Sequence, residues 1–183
     1  MITELETATR RLQAVQVDLV DEIDRSGAHR VDGHHSAKVM VRHVANLSNA
    51  EAHRRAAAGK AMRVMPEVRE AFGAGRIGRD QVERVAKVYA NPRIRDQVAA
   101  NDAGFAREAE SHDFRVFDRM VTAWENLADE DGARDRDQRS HENRDAKIVQ
   151  DFDGSWRLTG AFGSLQGVEL DAIFKAFVKM ETL

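Results

Sequence analysis

Residues 47–66 read LSNAEAHRRAAAGKAMRVMP, and the assignment of this stretch decides the fold. Ser48 followed by Glu51 is a capping box, in which a hydroxyl and a carboxylate satisfy orphan N–H groups at a helix start. Pro66 closes the run, because it has no N–H to donate and its ring clashes with the preceding turn. Alanine, the best helix former, dominates between them. At 100° per residue Ala50, Ala57, Ala61 and Val64 share one arc, while Arg55, Gly59 and Arg63 lie opposite. Arg54 projects into the apolar arc, where either its stem packs with the head reaching outward or it enters a buried ion pair.

Working outward, the neighbours are also helical. SAKVMVRHVAN, after Gly33, is read as helix despite its valines, because it is long and contains Ala37 and Ala45. The opening segment carries Leu5, Leu12 and Leu19 at heptad spacing, with Ala8, Val15 and Ile23 on the same stripe and a stop at Ser26-Gly27. That stripe is expected to face the core. Downstream, PEVREAF is closed by Gly73 and Gly75, and Arg76-Ile77-Gly78 leads into RDQVERVAKVYA, with Val82, Val85 and Tyr89 on one stripe. Residues 1–128 thus contain two helix-turn-helix-like units. Asn91-Pro92 opens PRIRDQVAAN, and Ser111 is expected to cap DFRVFDRMVTAWENLA, where Phe114, Phe117, Val121 and Trp124 repeat at helical spacing.

The pattern changes at Asp129. Residues 129–147 form a mixed-charge connector with no apolar period, a loop or an exposed charged helix. In 148–183, Asp153-Gly154 marks a β-hairpin turn, with Trp156, Leu158 and Thr159 in the return strand. A last helix follows, whose Leu170, Ile173, Phe174 and Phe177 are expected to pack on the hairpin. Only Phe72 of the 8 phenylalanines precedes Phe105, so the N-terminal half is expected to be an Ala/Val/Leu/Met core of closely approaching helices, with the larger ring-filled core C-terminal. The fold class is therefore mainly α: a multi-helix bundle with a C-terminal β-hairpin and helix, read as one body.

A chain of 183 residues, 42% hydrophobic and 32% charged, folds rather than staying disordered. Its start, MITELETATRRLQ, lacks the apolar region of a signal peptide, and no stretch is long and apolar enough for a membrane helix. Zero cysteines exclude disulfides and thiolate chemistry and suit a cytoplasmic setting. The net charge of -3 hides a segregation: Arg25 to Arg79 holds 11 basic and 4 acidic residues, a surplus of +7, against 17 and 27 elsewhere. Such a segment is either a phosphate-contacting surface or a solvated helical surface offset by acidic segments folded against it.

Catalytic patterns are lacking. The 7 histidines form no HExxH, with His34 and His35 adjacent in a loop and His43, His53 and His112 single on helices, each read as a surface or capping residue. His141-Glu142-Asn143 precedes a hairpin and helix in the order of a ββα-metal nuclease, but the final helix supplies only Glu169 and Asp171 as ligands. No GxGxxG, Walker A or GxSxG motif occurs, so neither metal nor cofactor is assigned. A helix-turn-helix reader of duplex DNA needs a tight turn, a small-residue packing face and outward basic or amide groups. The first unit supplies Ser48, its alanines, and Asn49, Arg55, Lys60 and Arg63.

Several motifs in register carry a resemblance: Asp24-Arg25-Ser26-Gly27, Val31-Asp32-Gly33, Leu47-Ser48 to Arg55, and Met65-Pro66. Gly75 to Gly78 before Gln81, Asp129 to Ala133, and Asp153 to Gly160 continue it. With these the chain resembles, over nearly its whole length, the actinobacterial DUF222 or 13E12 repeat family. The resemblance implies a helical, DNA-associated module that in many members precedes an HNH nuclease domain. No HNH cysteines or histidines follow here, so no catalytic residue is carried over, and Gly78 stands where a serine or threonine cap is common. The expectation is non-catalytic engagement of duplex DNA, with Arg54, Arg55, Lys60 and Arg63 leading and Arg42, Arg76 and Arg79 flanking, and with an HNH nuclease domain as a possible partner. The alternative is a helical protein-interaction or nuclease-regulatory module without DNA contact, marked by an exposed apolar patch.

Overall fold

The structure is a computed structural model that describes residues 1–132, 134, 145–161 and 164–181. Helix α1 runs Ile2–Ser26 and ends on Gly27 in the left-handed region at φ 72°, a conformation glycine adopts without a Cβ penalty. A one-turn α2, Ala28–Val31, follows. The valine-rich segment is the expected helix, α3, Ala37–Val44, because Ser36 accepts the Val39 N–H and fixes its first turn. Then come α4 Asn49–Met62, α5 Pro66–Ala74, α6 Arg79–Tyr89, α7 Arg95–Ala100, α8 Asp102–Ser111 and α9 Phe114–Ala128. Helix α1 packs on α3, α4 and α5, α4 on α6, α5 on α8, and α6 on α9.

The α1 face that enters the core is not the leucine stripe. Ala14, Val17 and Val20 are buried, while Leu5, Leu12, Val15 and Leu19 are each 59–67% exposed. The reason lies in α4, whose Gly59 is so close to α1 that an added Cβ would stand 3.1 Å from Asp21 Cβ and 3.4 Å from the Val17 carbonyl oxygen. At that close approach the α1 side is lined by the small side chains Ala14, Val17 and Val20. The α4 face is rotated too: Ala52, Ala58, Gly59, Ala61 and Met62 are buried, and Ala50 is exposed.

The buried rings belong to the helical unit, most of them from the later half of the chain as expected. Phe72, Phe105 and Phe117 are buried in the helical core, with Trp124 packed edge-on against Phe105 at 5.0 Å. Helix α9 is capped by Asp113, whose Oδ1 accepts the Val116 N–H at 2.9 Å; Ser111 instead closes α8 by donating to the Arg107 carbonyl. Asn91 makes a turn, its Oδ1 accepting the Arg93 N–H at 3.1 Å, and α7 opens only at Arg95. Asp102, at the head of α8 and buried, caps α5 from a distance, accepting the Glu67 and Val68 N–H groups at 2.8 and 3.0 Å. It thereby serves two of the orphan donors left after Pro66.

Contacts divide the chain into two compact units, Met1–Ala128 and Asp129–Leu183, at the composition change after Ala128. In the second, β1 Asp145–Gln150 opens three residues before the expected boundary at 148 and pairs antiparallel with β2 Trp156–Ala161, Gln150 opposite Trp156. The Asp-Gly turn is as expected, with Gly154 at φ 85°. Helix α10, Ser164–Glu181, completes the unit. Ile173, Phe174 and Phe177 are more than half exposed, as are Phe152 and Trp156, so the expected packing of these side chains on the hairpin is not formed. Two strands offer too little surface to cover a helix face.

Candidate functional site

At the start of α4, Ser48 Oγ accepts the Glu51 N–H at 3.1 Å, which is half of the expected capping box. The Glu51 carboxylate does not close the box. Its Oε1 accepts Arg55 Nε at 2.7 Å, and its Oε2 accepts Arg54 Nη2 at 2.8 Å together with Arg79 from α6. Glu83, one turn beyond Arg79, accepts Arg79 Nε at 2.5 Å and Arg54 Nε at 3.3 Å. Two carboxylates thus hold three guanidinium groups across the α4–α6 seam. Glu51 is only 14% exposed, and burial pushes its pKa up. Hydrogen bonds from Arg79, Arg55 and Arg54 outweigh that penalty and bring it down to about 2.

The same pattern recurs at the other predicted contacts. Arg63 donates Nε to Asp21 at 2.5 Å and Nη2 to Asp24 at 2.8 Å, which ties α4 to α1. Arg76 bridges Glu70 and Glu110, the latter at 2.7 Å. Five of the seven predicted contacts, Arg54, Arg55, Arg63, Arg76 and Arg79, are therefore engaged by the chain's own acids. Arg42 and Lys60 have no carboxylate partner among the described residues. Of the two readings of the basic segment, the structure displays offset by acidic segments: residues 1–128 carry 20 basic and 19 acidic side chains, close to neutrality. Arg54 resolves as an ion-paired residue that stays 47% exposed.

Lys60 lines a groove with Lys38, His53, Tyr89 and Arg95, floored by Ala57 and Ala86. Arg95 lies 5.3 Å over the Tyr89 ring and donates Nε to the Tyr89 carbonyl. Asp21 and Asp24 sit on the same wall and are turned to Arg63. Lys38 comes to the groove from the preceding helix α3 and Arg95 from α7, and only the packing of the helices puts them beside Lys60.

The histidines are less solitary than their spacing indicates. His34 Nε2 is 3.2 Å from His43 Nδ1, and His29 is buried with Nδ1 3.3 Å from the Ile23 carbonyl oxygen. Among the described residues no group of three or more His, Asp or Glu side chains converges as metal ligands. His141, Glu142 and Asn143 lie outside the described residues.

A further surface feature is the outward face of α1, where Leu5, Ala8, Leu12, Val15 and Leu19 form an exposed apolar stripe. Most exposed apolar residues are scattered singly, whereas a stripe along a whole helix marks a contact surface. The family model described as Domain of unknown function (DUF222) matches residues 1–181. No curated protein and no solved structure matches the chain.

Proposed function

The chain belongs to the DUF222 family, and from that premise we propose that its helical unit is a non-catalytic docking module that meets a protein surface. One observation carries this reading: a continuous apolar stripe faces outward on α1, while five of the seven basic side chains expected to meet DNA are held by internal carboxylates. Releasing such an arginine to a phosphate means breaking an existing charge-assisted bond, so its net gain on binding a polyanion is small. The HNH nuclease domain implied by the family resemblance is one partner class of this kind. A cytoplasmic setting belongs to the same proposal; it rests on the lack of cysteine, and no described helix is long and apolar enough to cross a membrane.

Duplex DNA engagement is a second reading, favoured by Lys38, Lys60 and Arg95 on one groove and by Arg42 without a carboxylate partner among the described residues. Two measurements separate the readings. If α1 is a docking face, Leu12→Lys leaves the thermal unfolding of a dilute sample unchanged; a large loss of stability would make the stripe part of the chain's own core and overturn the reading. Fluorescence anisotropy with labelled duplex tests the other. Affinity that falls steeply between about 50 and about 200 mM salt, and is lost on replacing Lys38 and Lys60 by Ala, would establish DNA engagement through the groove.

A further inference from the structure

We propose that the outward face of α1 is the seam of an antiparallel helix pair formed with a second copy of this chain, an assignment that rests on the docking reading above. The apolar positions Leu5, Ala8, Leu12, Val15 and Leu19 alternate in steps of three and four, the a and d positions of a heptad. They lie opposite the buried Ala14, Val17 and Val20, so α1 is apolar on two faces and the monomer covers one. A helix of 25 residues is about 37 Å long, enough for a short seam.

Charge selects both orientation and register. The flanking g positions are Glu4, Arg11, Asp18 and Arg25. In an antiparallel pair g positions face g positions. Setting Leu12 against Val15 of the second copy places Arg11 beside Asp18 and Glu4 beside Arg25, each pair occurring twice by symmetry. The four central layers then alternate large with small, Leu19 meeting Ala8 and Leu12 meeting Val15, while at each end Leu5 meets the exposed Glu22, so the apolar seam is four layers long. Sliding one helix by a heptad in one direction sets Arg11 on Arg11 and Glu4 on Asp18; sliding it the other way sets Asp18 on Asp18 and Arg11 on Arg25. A parallel pair would match Arg11 with Gln16 and Asp18 with Ile23, with no complementarity. Only one arrangement pairs every flanking charge with its opposite. Asp18 pairs with Arg69, Arg25 with Glu22 and Glu4 with the N-terminus, and Arg11 donates to the Ala74 carbonyl at 3.0 Å; the paired carboxylates and Arg25 are 44–86% exposed, so across the seam each gains a second opposite charge without breaking its existing contact.

Sedimentation equilibrium on the full chain tests this. The expected result is twice the 20.5 kDa chain mass at micromolar concentration. The dimer should be lost in Leu12→Glu, weakened roughly tenfold in Arg11→Glu, and recovered in Arg11→Glu/Asp18→Arg. Within one chain the double swap sets an arginine against Arg69, so recovery reports contacts between copies, with circular dichroism confirming that each variant folds. A monomer at all concentrations, or a dimer in which the second swap restores nothing, overturns the proposal. If the chain is monomeric and Leu12→Lys is still neutral to stability, the pairing fails while the docking surface stands. A destabilising Leu12→Lys in dilute monomer removes both.

Discussion

Between α4 and α6, Glu51 and Glu83 engage Arg54, Arg55 and Arg79, whereas along the outside of α1 Leu5, Leu12 and Leu19 lie against solvent. The charged region is saturated within the fold, and the apolar one is left open. At these two places charge and hydrophobicity exchange their usual positions: the ion pairs lie in a seam between helices, and a stripe of aliphatic side chains lies outside the apolar core. A +7 segment is therefore no measure of surface potential, because acids distant in sequence are folded onto it.

The contrast can be broken most forcefully at its charged end. Glu51→Ala leaves three guanidinium groups short of a partner in a largely covered seam and should cost about 3 kcal/mol, read from urea unfolding. On α1, Val17→Ala, which empties space beneath Gly59, should cost about 2 kcal/mol in the same assay. Acid titration sharpens the comparison. With its pKa lowered from 4.5 to about 2, Glu51 contributes stability that is complete above pH 4.5 and is lost as pH falls toward 2. The stability gap between wild type and Glu51→Gln should accordingly narrow across that window, and a gap independent of pH would show that the charge does not matter. The smallest effect belongs to the stripe: Leu12→Ala in dilute solution should change stability by less than about 0.5 kcal/mol, although leucine is the larger side chain.

Much of the architecture was legible from local signals. The stop at Gly27, the start at Ser48, the helix from Pro66 and the Asp153-Gly154 turn each depend on a few adjacent residues with a fixed stereochemical preference, and each stands where expected. Ser111 was misread because Asp113, two residues on, has the carboxylate that reaches Val116. Asp102 gave no signal as a cap, since its clients at Glu67 and Val68 are over thirty residues away. At the candidate site, residue type was legible and availability was not: the arginines were identifiable, but Asp21, Asp24, Glu83 and Glu110 come to them only through the packing of α1, α6 and α8.

By itself the amino-acid order determined where most of the helices begin and end, that they are small-faced and closely packed, and that a hairpin follows a charged break. Which face of α1 turns inward was decided by tertiary packing, because a heptad of leucines and a narrow strip of Ala14, Val17 and Val20 both satisfy helical periodicity. Periodicity registers only that a face is apolar. The close approach of Gly59 set the distance, and the face of α1 that lines it is the one with the smaller side chains.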